Sequence, residues 1–109
     1  MDTVQQILIA ARALIATPEK WTQGESARTS YGLPCGFYAD CADQFCMSGA
    51  LERVCSGDRH RASVAGNYLR DAISASSFVN WNDAPERTHA DVMAAFDRAI
   101  ELAGKPEVA

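Results

Sequence analysis

The segment from Cys41 to Cys55 most constrains the fold, because its polar side chains form only one narrow row. Gln44, Ser48 and Glu52 recur at four-residue spacing, whereas most of the other positions are apolar or small. A helix with so narrow a polar stripe is nearly surrounded by protein. The sequence therefore predicts a central helix over about residues 41–55, with Asp40 as its N-cap.

Three further segments show the apolar periodicity of amphipathic helices. A Thr-Pro pair at Thr17 ends the first, because proline cannot continue the hydrogen-bond ladder. Thr88 and Asp91 form a capping-box variant at the start of the last. Gly66 lies inside the middle one and costs about 1 kcal/mol against alanine, which indicates a close contact there. The three helices are predicted over about residues 4–16, 59–74 and 89–103.

The remaining stretches lack a helical period. Residues 21–40 predict a short β-hairpin or an ordered loop between the first two helices, and a binding edge is compatible with this segment. Residues 75–87 are predicted to form a loop. A length of 109 residues fits one domain. We therefore expect a mainly α, compact four-helix domain over residues 1–109.

Composition and charge exclude several classes of function. The chain is 48% hydrophobic and 22% charged, with a formal charge of −4, so it has no overall attraction to nucleic acid. No run approaches the roughly 18 apolar residues of a membrane span. Asp2 lies where a secretory signal carries positive charge. We expect a cytoplasmic protein that binds neither nucleic acid nor membrane, and the oligomeric state stays open.

The four cysteines are spaced C-x5-C-x4-C-x8-C. Structural zinc sites usually contain a closer C-x2–4-C pair, and disulfides are rare in a reducing compartment. Free thiols are therefore favoured over a metal site or disulfides at Cys35, Cys41, Cys46 and Cys55, and no cofactor is expected. Cys46 is assigned to the apolar side of the central helix, where a thiol is protonated and inert. We interpret it as a structural anchor and predict no catalytic residue.

A dense polar segment follows Trp81, just before the last helix. Asn82, Asp83 and Arg87 offer donors and acceptors at the positive end of that helix, which suits a ligand pocket. The structural interpretation is that Trp81 fills the core while its polar neighbours satisfy loop amides. The sequence favours the structural interpretation, with Thr88 as a further anchor.

A second polar segment follows Trp21. Gln23 and Arg28 could line a cleft, although alternate residues of a hairpin simply face water, and Trp21 is predicted to be another core anchor. If the two segments form one ligand site, its residues are Gln23, Arg28, Asn82, Asp83 and Arg87.

Three motifs carry a resemblance to a known family. They are W-T-Q-G-x-x-A-R at residues 21–28, F-C-x-x-G-A-L at residues 45–51 and W-N-D-A-P-x-R-T at residues 81–88. With them, the chain resembles a family of small bacterial and phage proteins known only as a domain of unknown function. Residues 30–42 look atypical, with Cys35 and Cys41 added. The resemblance implies a compact helical domain and no particular activity.

Three functions remain open at this stage. A non-enzymatic accessory or protein-interaction domain is favoured. The alternatives are a small-ligand binder or small enzyme that uses residues 81–87 with residues 21–28, and a phage-type inhibitor that binds a host protein through its acidic surface. Polar groups that line a concave pocket would favour ligand binding, whereas polar groups saturated by backbone partners would favour a scaffold.

Overall fold

The computed structural model describes residues 3–105, which form five α-helices and one small antiparallel sheet. The predicted mainly α class is confirmed. In chain order the elements are α1 (Val4–Leu14), a 3-10 helix (Pro18–Lys20), β1 (Ala27–Arg28), β2 (Pro34–Cys35), β3 (Gln44–Phe45), α2 (Met47–Cys55), α3 (Arg59–Ile73), α4 (Phe78–Asp83) and α5 (His89–Ala103).

The four longer helices pack around one hydrophobic core. Helix α3 lies against α5, and α1 contacts both α2 and α5. Helix α2 also contacts α3 and α4, which agrees with its narrow polar stripe. The largest fully buried apolar side chains are Phe96, Leu8, Ile15, Met47, Leu51, Leu69 and Val92. In the part of the chain described, no helix has the length and apolar character required to cross a bilayer.

Helix α2 begins at Met47, so its predicted start at Cys41 and the predicted Asp40 cap are wrong. Gln44 and Phe45 instead form strand β3, which pairs with β1. Cys46 is extended and acts as the N-cap, its Sγ accepting the Gly49 amide at 3.3 Å. The apolar residues before Met47 suit a buried strand as well as a helix, and pairing with β1 decides between them. Helix α1 also ends early, at Leu14.

The predicted loop over residues 75–87 contains helix α4. Its N-cap is Ser77, whose side chain accepts from the Asn80 amide. Six residues are too few to show a helical period. Buried Phe78 on this helix explains Gly66, because a Cβ at Gly66 would lie 2.9 Å from the Phe78 ring.

Strands β1 and β2 form a hairpin, and β3 adds to its other side to give the order β2-β1-β3. The expected hairpin between the first two long helices is therefore part of a three-stranded sheet. The chain just before β1 packs directly on α2. A Cβ at Gly49 would overlap the carbonyl oxygen of Ser26, so this close approach requires glycine.

Candidate functional site

The side chain of Asn82 is fully buried, and protein groups use its whole hydrogen-bonding capacity. Its Oδ1 accepts from Trp21 Nε1 at 2.8 Å and from the Met47 amide at 3.2 Å. Its Nδ2 donates to the Thr22 carbonyl at 3.2 Å and to Asp83 Oδ1 at 2.9 Å. The Met47 amide is in the first turn of α2 and has no partner within that helix. Asn82 therefore joins the 21–24 segment, α4 and the start of α2.

Gln23 connects the 21–24 segment to the end of α4 by hydrogen bonds. Its Nε2 donates to the carbonyl oxygens of Asn82 at 2.8 Å and Ala84 at 2.9 Å. These groups lie where α4 ends and carbonyls lack helical donors. Asp83 Oδ1 also accepts the Gly24 amide at 2.9 Å. We call this set the Asn82 network; it comprises Trp21, Thr22, Gln23, Gly24, Met47, Asn82, Asp83 and Ala84.

Arg28 connects the Asn82 network to the hairpin. Its Nε donates to Thr22 Oγ1 at 2.9 Å, and its Nη2 donates to the Gln23 carbonyl at 3.2 Å. Its Nη1 donates to the Gly32 carbonyl at 3.0 Å, in the turn between β1 and β2. The guanidinium therefore holds the turn in place against the residues that precede β1.

Arg87 lies apart from the other predicted ligand residues. Its Nε donates to the Trp81 carbonyl at 2.8 Å, and its guanidinium stacks 3.7 Å from the Trp81 ring centroid. Its Nη1 lies 3.8 Å from an Asp91 oxygen. Thus Gln23, Asn82 and Asp83 come together directly, Arg28 joins them through backbone and hydroxyl groups, and Arg87 does not.

The predicted anchors occupy different depths. Trp21 and Trp81 are half-buried and pack against the core from its edge. Thr88 caps α5: its Oγ1 accepts from the Asp91 amide at 3.1 Å, and its own amide donates to Asp91 Oδ2 at 3.1 Å. The hydrogen bonds from Thr88 hold the pKa of Asp91 below its ordinary value. Cys46 is buried, and it caps α2 rather than lying within a helix as predicted.

The sequence interpretation allowed a binding edge within residues 21–40 but named no site residue in the turn between β1 and β2, residues 29–33, which we call the hairpin turn. Tyr31 is 90% exposed and Leu33 is 63% exposed. The Thr29 amide donates to the Leu33 carbonyl at 2.8 Å, and the Thr29 hydroxyl accepts from the amides of Tyr31 and Leu33 at 3.2 and 3.3 Å. Gly32 has a φ of +82°, which favours glycine. The signal in the sequence that could have identified this surface was a pair of large apolar residues on either side of a turn glycine.

Residues 1–102 match one protein-family model. The chain belongs to the family of unknown function DUF6197. This supports the resemblance to a family without an established function. Searches of curated proteins and of solved structures found no significant match.

The described part of this DUF6197 chain, residues 3–105, holds no group of three or more histidine, cysteine or acidic side chains placed to bind a metal ion. All four cysteines are free thiols. Burial raises the pKa of the Cys46 thiol, and hydrogen bonds from backbone amides at the start of α2 only partly oppose that effect. The thiol is therefore protonated near neutral pH and is a poor nucleophile.

Proposed function

We propose that this DUF6197 domain is a non-enzymatic protein-interaction domain that binds its partner through the hairpin turn. One observation carries the proposal: Tyr31 is 90% exposed on a turn whose backbone is held by hydrogen bonds. Tyrosine is among the residue types enriched at the positions that contribute most to binding at protein interfaces, and it gives a large contact area at a low cost in side-chain entropy.

The order of the turn lowers the entropy lost on binding. The Thr29 hydroxyl holds the turn by accepting from two of its backbone amides, and Arg28 holds it by donating to the Gly32 carbonyl. A loop that already has its bound conformation keeps more of its contact energy as affinity. The position of Leu33 two residues from Tyr31 gives the surface a second apolar contact.

The Asn82 network supports this proposal in a structural role. Its side chains donate to, or accept from, protein groups, including the carbonyls of Thr22, Asn82 and Ala84. Groups already paired in this way have little capacity for a ligand. This favours a scaffold role for Gln23, Asn82 and Asp83 over the alternative of a ligand site.

The chemistry of the turn indicates the partner. We expect an apolar pocket on another protein that receives the Tyr31 ring and Leu33, with a polar group at its rim for the phenol hydroxyl. Nucleic acid does not suit an acidic domain, because its phosphates require a basic surface.

Photo-crosslinking tests the proposal. A photoreactive phenylalanine analogue replaces Tyr31 in one variant and Ile9, which is 49% exposed on α1, in a control variant. In lysate of the source cells, position 31 should give a discrete protein adduct that Ile9 does not give. Excess wild-type protein should suppress the adduct, whereas excess Tyr31→Ser protein should not. No adduct at position 31, or equal suppression by both competitors, would overturn the proposal.

A further inference from the structure

A cleft of about 310 Å³ lies between α2, α3 and α4, and none of the residues that line it belongs to the hairpin turn or the Asn82 network. Its lining combines an apolar part, including Leu51 and Phe78, with serine hydroxyls and charged side chains. A second cleft of about 360 Å³ shares Ser48, Glu52 and Arg59 with it. Concave sites with an apolar part and a few convergent polar groups are typical of small-ligand binding.

Arg70 is fixed at one side of the cleft. Its Nε donates to the Ser76 carbonyl at 3.1 Å, and its Nη1 donates to Asn67 Oδ1 at 2.6 Å. Its guanidinium lies 5.3 Å from the centroid of the Phe78 ring. Among residues 3–105, no protein acceptor bonds to its Nη2. Arg70 therefore offers a pre-positioned donor with little further loss of side-chain entropy.

Arg59 is exposed at the first position of α3 and forms no hydrogen bond or ion pair with the other described residues through its side chain. His60 and Arg61 follow it, and the first turn contains no acidic residue. Asp58 caps this helix, its carboxylate accepting the Arg61 amide at 3.1 Å, and supplies the negative charge that the positive end of a helix favours. Because the Arg59 side chain makes no such bond with another described residue, its guanidinium donors are available to an anion in the cleft.

The charges that line the 310 Å³ cleft are Arg59, Arg70 and Glu52. Two cations and one anion give a local charge of +1, in a protein whose formal charge is −4. Glu52 is not within ion-pair distance of Arg59 or Arg70. The cleft is thus a locally basic site on an acidic molecule, and Glu52 opposes a highly charged anion there.

We propose that this cleft binds a small organic anion, in which a carboxylate or phosphate group is attached to a compact, partly apolar body. Arg59 and the free Nη2 of Arg70 hold the anionic oxygens, because guanidinium groups match the geometry of both oxyanions. The hydroxyls of Ser63 and Ser76 add donors. The body of the ligand packs against Leu51 and Phe78.

The test is an NMR titration of the isotope-labelled full chain with benzoate, phenyl phosphate and inorganic phosphate, each at constant ionic strength. Saturable shifts should be confined to residues around the cleft, including the side-chain Nε of Arg59 and Arg70. Saturation by benzoate alone identifies a carboxylate site, and saturation by phenyl phosphate at lower concentration than inorganic phosphate identifies an organic phosphate site. Equal affinity for phenyl phosphate and inorganic phosphate would overturn the contact with Leu51 and Phe78. Shifts that stay linear for all three probes would overturn the proposal.

Two variants and one control make the test specific. Arg59→Gln should weaken binding about tenfold, as expected for one lost charge-assisted hydrogen bond. Ser76→Glu should abolish binding, because it places a like charge, or a competing partner for Arg70, at the cleft. Arg98→Gln, at an exposed position of α5, makes the same change in net charge and should leave affinity unchanged. Equal weakening by Arg98→Gln would show a nonspecific charge effect and overturn the site.

Discussion

The Asn82 network and the hairpin turn use their residues in opposite ways. In the Asn82 network, polar side chains are turned inward and bonded to protein groups around a fully buried Asn82. In the hairpin turn, apolar side chains are turned outward while the backbone is bonded internally. Arg28 links the two regions. The comparison shows that a dense polar motif can be structural, whereas an inconspicuous turn presents the accessible surface.

Asn82→Ala should have the largest effect on stability. The substitution leaves the Trp21 indole N–H and the Met47 amide without their acceptor. Each buried unsatisfied donor costs about 1–3 kcal/mol, so we expect a loss of roughly 3 kcal/mol or more in the free energy of unfolding. Urea denaturation measures it, with Asn80→Ala on the exposed side of α4 as the control. Equal losses in the free energy of unfolding of the two variants would show that the Asn82 network does not stabilise the fold.

Asp83→Ala tests the rim of the network, where the side chain is exposed but accepts from Gly24 and Asn82. We expect a loss of about 1–2 kcal/mol on denaturant unfolding. The matched control is Glu86→Ala, which removes the same charge from an exposed neighbour. A stabilised Asp83→Ala protein would instead indicate a ligand site, because functional polar groups are often unfavourable for folding.

Thr88→Ala should lower stability by about 1 kcal/mol, the usual cost of losing an N-cap. Thr17→Ala is the control, because Thr17 makes no side-chain cap bond. The pKa of Asp91 is lowered in the folded state by its bonds to Thr88, so its contribution is present above the unfolded pKa. It is lost as the pH falls through the lower, folded pKa. Because Thr88→Ala keeps the Thr88 amide that donates to Asp91, most of this pH dependence should persist in that variant, whereas Asp91→Ala should remove it. An unchanged pH dependence of stability in Asp91→Ala would contradict the reciprocal cap.

Tyr31→Ser should have the smallest effect on stability, within about 0.5 kcal/mol of wild type in the same denaturation experiment. Its side chain is 90% exposed, so folding buries little of it. Arg28→Gln is the informative partner variant, because it removes the bond that holds Gly32 and should reduce the hydrogen-exchange protection of the turn. A clear destabilisation by Tyr31→Ser would mean that the tyrosine is structural and would contradict the contrast between the hairpin turn and the Asn82 network.

Local patterns explain what the sequence predicted well. The long helices could be predicted because apolar residues that recur with a 3.6-residue period lie on one face of a helix. The Thr88 cap could be predicted because it depends only on residues three positions apart. The structural interpretation of Asn82 was favoured from its neighbours. Its partners were not predictable, because Trp21 and Met47 lie 61 and 35 positions away.

Elements decided by tertiary contacts were harder to predict. Strand β3 forms because β1 pairs with it. An apolar segment that could have extended α2 is therefore a strand and not part of the helix. Helix α4 is held by Phe78 against Gly66 and by the Asn82 network, not by its own period. The exposure of Tyr31 depends on which surfaces the rest of the chain covers, and no local pattern contains that information.

The 61-position separation of Trp21 and Asn82 has a consequence for synthesis on the ribosome. The N-terminal hairpin leaves the exit tunnel before its anchor on α4 has been translated, a delay of roughly 3–12 s at about 5–20 residues per second. During that interval Tyr31 and Leu33 project from an unanchored segment that nascent-chain chaperones or proteases can reach. A ribosome stalled before Phe78 would therefore display the hairpin turn on a segment that the Asn82 network does not yet anchor.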